Sequence, residues 1–236
     1  MTRRRWIADE VSGDRAALVG AHATHLVKVL RAQIGQQFDI ATVAGVREGR
    51  IVSITPERVE FELGIAIDAA EILDLTLILS IFKFNRMEWA MEKCVELGAG
   101  KIIPVIARRT ESHLATAAAK RAARWQKIAW QAAEQSRRTH LPEISAPAKL
   151  SEIVKLNSGT RVVLSEVERT QTLKTALANQ SSDFITLAIG PEGGWTSDEL
   201  RSFENAGWIS ASLGTTILRV ETAAIAAVAI TISTLS

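Results

Sequence analysis

Ile185-Thr186-Leu187-Ala188-Ile189-Gly190-Pro191-Glu192-Gly193-Gly194-Trp195-Thr196-Ser197-Asp198-Glu199 passes from a strand, through a loop, into a helix. Ile185–Ile189 is a short apolar run of the kind buried in a sheet. The next five positions hold three glycines, one proline and one acid. A plain tight turn needs one or two glycines. Three of them carry a backbone-entropy cost, and they leave the main-chain amides open to close approach by a ligand. Asp198 and Glu199 then favour the first turn of a helix beginning near Ser197.

The same alternation extends outward in both directions. Upstream, Leu75–Ile81 and Ile102–Ile106 are strand-like runs. Arg86–Leu97 lies between them with Met87, Ala90, Met91, Cys94 and Val95 at helical spacing. Gly98 stops that helix. Residues Ala117–Ser136 predict a longer helix with a stripe of Ala118, Ala122, Trp125, Ala129 and Ala132. Val162–Leu164 is another strand. Downstream, a strand near Ser210–Leu213 leads through Gly214-Thr215-Thr216-Ile217-Leu218-Arg219-Val220 into a helix from about Glu221. That helix is apolar nearly all round, so it must be buried in the core or against a second subunit. Arg219 and Glu221 stand beside it, as a structural ion pair or as a charged site. Alternating strands and helices imply an α/β domain with a mostly parallel sheet.

The first 70 residues differ. Gln37–Thr42, Gly49–Ile54 and Arg58–Leu63 alternate apolar and polar residues between turn signals. One short helix, about His22–Arg31, interrupts them. These residues predict a small β-barrel module at 1–70, with the α/β domain at 74–236.

Composition narrows the function classes. Net charge is only +2, yet residues 108–140 hold eight Lys or Arg against two acids. A positive zone of this kind attracts phosphates or forms a solvated helix face. One cysteine, Cys94, excludes an internal disulfide and a CxxC metal site. The four histidines lack metal spacing, and there is no GxSxG elbow. Gly98-Ala99-Gly100 lacks the third glycine of a dinucleotide loop and follows a helix, which is the wrong order. The N-terminus has no signal-peptide run, so the expected location is cytoplasmic. Trp125-Gln126-Lys127 through Gln135, with Arg137 and Arg138 beyond, puts basic and amide groups on one helix face, suited to RNA or simply to water.

Taken together, these segments resemble the RsmE family of the SPOUT class. The likeness runs through His25–Arg31, Arg86-Met87-Glu88, Lys93, Glu96-Leu97-Gly98, Pro104, Trp125–Ile128, Glu134-Gln135, Pro142–Ile144, Ile189–Gly194 and Leu213–Ala223. A GPEGG loop followed by LG-xx-ILR-x-ETA is specific in combination. The resemblance implies a PUA-like N-terminal β-barrel, a C-terminal α/β domain with a deep trefoil knot, and a homodimer through that domain. It implies S-adenosylmethionine as cofactor and N3 of a uridine in 16S rRNA of the small ribosomal subunit as target. Carried onto this chain, the cofactor contacts are Leu164, then Ile189, Gly190, Pro191, Glu192, Gly193 and Gly194, then Leu213, Gly214, Ile217, Leu218 and Arg219.

Uracil N3 carries a proton, so the site must stabilise an anionic base or remove that proton as attack proceeds. Arg219 is expected to hold the developing charge. Glu221 or Glu192 would orient Arg219 or accept the proton. RNA contacts are expected at Arg3, Arg4, Arg5, Lys28 and Arg31, and at Arg86, Arg108, Arg109, Arg137 and Arg138. No metal is called for. The competing readings are a non-catalytic ribosome-assembly factor, a SPOUT enzyme for another base, and a Rossmann-type oxidoreductase.

Overall fold

The structure is a computed structural model that describes residues 5–42, 44–67, 73–136, 138, 140–178, 180 and 182–235. The chain divides into two compact units. One is Met1–Glu71 with Ala133–Leu141, and the other is Ile72–Ala132 with Pro142–Ser236.

The first unit is built on β1 (Arg5–Ile7), β2 (Glu10–Ser12), β3 (Arg15–Val19), β4 (Gln37–Thr42), β5 (Gly45–Ile54) and β6 (Arg58–Ile67). They form one curled sheet in the order β1-β4-β5-β6-β3-β2. Every pair is antiparallel except β1 with β4. Alternation places Leu18, Phe38, Ile40, Ile51, Val59 and Phe61 on the inner face, where they are buried. The expected helix near His22–Arg31 is α1 (Ala21–Thr24) followed by a π-helical turn, His25–Val29, which seats Leu26 in that core. Arg31 leaves the turn with a left-handed φ of 52°.

The second unit carries β7 (Asp74–Ser80), α2 (Phe84–Leu97), β8 (Lys101–Ile106), α3 (Ser112–Ala118), α4 (Ala122–Gln135), β9 (Glu143–Ile144), β10 (Ala148–Lys149) and α5 (Leu150–Ile153). Then follow β11 (Thr160–Leu164), α6 (Leu173–Ala178), β12 (Phe184–Ile189), α7 (Ser197–Asn205), β13 (Ile209–Ala211) and α8 (Val220–Leu235). Sheet order is β10-β8-β7-β12-β11-β13, with β9 also on β8, and all pairs are parallel. Central strands buried on both faces read as continuous apolar runs, as Leu75–Leu79 and Ile185–Ile189 do. The long helix expected at Ala117–Ser136 is two helices joined by a 3₁₀ turn at Ala119–Arg121. Its stripe residues Trp125, Ala129 and Ala132 are buried. Cys94 is fully buried, and burial pushes its thiol pKa up, so it packs as a small apolar residue.

α8 buries one stripe: Val220, Glu221, Ala224, Ala227, Val228 and Thr231. It packs on α2 and α6. Its other side, with Ile225, Ala226, Ala229 and Ile230, stays half-buried. No described helix is long and apolar enough to cross a membrane.

Candidate active site

Three parallel strands end side by side. β12 runs into the glycine loop, β11 into Ser165–Val167, and β13 into the Leu213–Arg219 segment. Ligands in open α/β sheets bind beyond the carboxyl ends of the strands. Here those ends enclose a cavity of about 410 Å³, within the usual range for small-molecule sites.

The glycine loop is held from several sides. Gly194 N–H donates to Pro191 O at 2.8 Å, closing a tight turn. Gly194 has φ 69°, and a Cβ there would lie 2.8 Å from Glu166 Oε1, so both backbone and space require glycine. Trp195 folds back over its own loop. A Cβ on Gly190 would meet its ring at 3.2 Å, and its Nε1–H donates to Leu164 O at 3.1 Å. The ring then packs edge-on against Phe203, which does the same with Trp208. α7 starts with a complete capping box: Glu199 N–H donates to Thr196 Oγ1 at 3.3 Å, and Thr196 N–H to Glu199 Oε2 at 2.7 Å. Glu199 Oε1 also accepts from the Arg108 N–H at 2.7 Å. The Arg109 guanidinium donates to Gly193 O and to Trp195 O.

Most of the expected cofactor contacts line this one cavity. They are Leu164 from β11, Ile189 to Glu192 and Gly194 from the β12 loop, and Leu213, Gly214, Ile217, Leu218 and Arg219 from the last loop. Gly193 is not on the lining; a Cβ there would come 3.1 Å from Arg109 Cδ. Ile217 stands at the rim, 82% exposed. The charged lining groups are Lys83, Arg86, Arg169 and Arg219 against Glu166, Glu192 and Glu221. Lys83, Ser165, Glu166 and Arg169 were not among the expected contacts. They sit in irregular segments with no periodic pattern, and only the meeting of strand ends brings them in. Glu168 stabilises the turn before Arg169: hydrogen bonds from Thr170 Oγ1, Thr170 N and Gln171 N push its carboxyl pKa down to about 2.

The ion pairs depart from expectation. Glu192 and Glu221 do not hold Arg219. Both face Arg86, whose Nη1 is 3.5 Å from Glu192 Oε1 and whose Nε is 3.8 Å from Glu221 Oε1. Arg219 is exposed, and its side chain has no hydrogen bond or ion pair among the described residues.

The expected RNA contacts are scattered. Arg3, Arg4 and Arg137 lie outside the described residues. Lys28, Arg31 and Arg108 are exposed. Arg5 is half-buried and pairs with Asp39 at 3.9 Å. Arg109 is exposed as well, and its Nη1 also donates to the glycine-loop carbonyls. Arg138 is only 7% exposed, and burial pushes its pKa down to about 10, which leaves it a buried cation at neutral pH. Gln126 is likewise occupied, donating to Pro142 O and accepting from Ile144 N–H. Among the described residues, no three metal-ligating side chains converge.

An RNA methyltransferase domain family matches residues 69–232. The ribosomal RNA small subunit methyltransferase E of Synechocystis is 31% identical over 217 residues, covering 90% of this chain and 71% of that protein. Its counterpart in Mesomycoplasma hyopneumoniae is 33% identical over 151 residues, covering 64% of this chain and 66% of that protein. Among solved structures, ribosomal RNA small subunit methyltransferase E from Neisseria gonorrhoeae, bound to S-adenosyl methionine, matches with a TM-score of 0.82 and 31% identity. That match covers 96% of this chain and 95% of the other.

Proposed function

This chain belongs to the ribosomal RNA small subunit methyltransferase E family, and on that premise we propose that it transfers a methyl group from S-adenosylmethionine to N3 of a uridine in 16S rRNA. One observation carries the reading: two glycine-bearing loops, 24 residues apart in sequence when counted from Gly190 to Gly214, line a single cavity that also presents Arg219.

The residues on the wall fit a ligand of this kind. Main-chain groups of Gly190–Gly194 and Leu213–Leu218 would hold the adenine and the amino-acid part, and Leu164, Ile189 and Leu218 supply apolar surface. Both signs of charge are present for the ammonium and carboxylate ends. When bound, the sulfonium supplies an electrophilic methyl carbon. The protein's task is then alignment and charge stabilisation. Arg219, unpaired among the described residues, would face a uracil carbonyl as negative charge develops there. N3 lies on the pairing edge, so the target base must be unpaired or turned out of its stack.

The same proposal includes the knot, with the glycine loop and the Leu213–Arg219 segment as its crossing parts. It includes RNA contact by the exposed Lys28, Arg31 and Arg108, a cytoplasmic site of action, and a homodimer that covers the half-buried side of α8. Incubating the protein with labelled S-adenosylmethionine and small subunits lacking the modification, then mapping the methyl group, tests the reading. Label at a uridine N3 is expected. Label on another base, or none, rejects it.

A further inference from the structure

The three carboxylates on the cavity wall are not equivalent. The Glu192 side chain is 40% exposed and so is solvated. Glu166 lies against the glycine turn, with Oε1 in the space a Gly194 side chain would need. Glu221 is the buried one. Its side chain is 9% exposed, and Oε2 has no hydrogen-bond partner among the described residues. A desolvated carboxylate oxygen without a donor is costly. In a native structure such an atom calls for an explanation, and beside a ligand cavity a catalytic role is one.

Arg86 explains how that oxygen is held. It stands in the first turn of α2, and Glu221 stands in the first turn of α8, which packs on α2. A cation at a helix N-terminus is disfavoured by the macrodipole. Glu192 and Glu221, on either side of Arg86, offset that cost. Arg86 engages Glu221 through Oε1 and leaves Oε2 without a donor.

We propose that Glu221 accepts the N3 proton during methyl transfer and that Arg86 is the positioning residue that orients it; this rests on the methyl-transfer reading. The N3–H proton passes to the Glu221 carboxylate, which lies on the cavity wall. The N3 lone pair forms the new bond to the methyl carbon. The old carbon–sulfur bond breaks, and its electron pair stays on sulfur as a neutral thioether. Glu221, now a neutral acid, returns its proton to water after product leaves. One positive and one negative charge vanish together, so the step needs no further reactant.

The test uses the full chain with Glu221→Gln, Arg86→Ala and Arg86→Lys. It combines turnover on unmodified small subunits with calorimetry using S-adenosylmethionine alone. Glu221→Gln should lower kcat about 10²–10⁴-fold. Its cofactor affinity should stay within about threefold of the parent, which shows an intact pocket. Arg86→Ala should lower kcat about tenfold at an almost unchanged cofactor KM, with Arg86→Lys recovering most of the loss. If Glu221→Gln keeps kcat within about threefold, the assignment is overturned while the methyl-transfer reading stands. A cofactor affinity loss beyond about tenfold overturns it too, by making Glu221 a cofactor contact. Should the parent protein bind no S-adenosylmethionine and transfer no methyl group, reading and assignment fall together.

Discussion

Arg219 illustrates how far a residue's role depends on its neighbours. Side by side in sequence, Arg219 and Glu221 look like partners. In space Glu221 turns to Arg86, and Arg219 is left exposed on the cavity wall. An exposed, unpaired guanidinium contributes little to stability, so Arg219→Ala should melt within a degree or two of the parent, roughly the range of neutral surface substitutions. Its methyl transfer should fall about 10²–10³-fold, the usual effect of removing one charge-stabilising donor. Parallel melting and turnover measurements check both halves. His22 is a second case. Its Nε2 lies 3.0 Å from Glu134 Oε1 and its Nδ1 lies 2.8 Å from Asp9 Oδ1. The hydrogen bond to Glu134, then the charges of both acids, raise its pKa to about 9 against the opposing effect of burial. The folded pKa lies above the unfolded one. The stability it contributes is therefore full below about pH 6.5 and is lost as pH rises through about 9. Urea midpoints should decline across that window, and His22→Gln should flatten the decline. An unchanged slope in that variant would sink the assignment. Glu134 reads in the sequence as part of a solvated helix face. Nothing local marks it as the partner of a histidine 112 positions earlier.

At the scale of elements, local chemistry did most of the work where it was strong. Asp198 and Glu199 predict a helix start near Ser197, and α7 begins there, with the structure adding both halves of a Thr196–Glu199 capping box. Thr196→Ala should cost about 1 kcal/mol. Because Glu199 also takes the Arg108 N–H, that variant should loosen the glycine loop as well. Calorimetry should then show weaker S-adenosylmethionine binding together with a lower melting temperature. Stability loss with unchanged affinity would separate the cap from the site. Elsewhere local signals misled. Ala117–Ser136 is helix-forming throughout, yet the chain tightens to a 3₁₀ turn at Ala119–Arg121, with Leu114 before it and Trp125 after it both buried. Helix propensity is a weak prior that packing overrides. β9, β10 and α5 are only two to four residues long, too short to show a period. Arg109, an expected RNA contact, has a second use that its charge alone does not show. Its Nη1 donates to Gly193 O and Trp195 O, a use that depends on a loop 84 residues away.

For the whole molecule, the composition of α8 carries a consequence beyond the single chain. One stripe packs on α2 and α6, while Ile225, Ala226, Ala229 and Ile230 form a second apolar side that is only half-buried. This is the partly exposed apolar side that the proposed homodimer would cover. Sedimentation should give twice the 25.7 kDa chain mass, and Ile225→Glu with Ile230→Glu should return a monomer. A monomeric parent at micromolar concentration would rule the dimer out. By itself the sequence determined the class of each half, the strand-to-helix order and the identity of both glycine loops. Those features rest on periodicity and on backbone demands that only certain residues meet, and both are local. Only the tertiary structure decided that β11, β12 and β13 end side by side, that Arg86 rather than Arg219 meets the two acids, and that Arg138 is buried. Such facts arise from contacts between segments far apart in the chain, and no local pattern of residues encodes the partner across that distance.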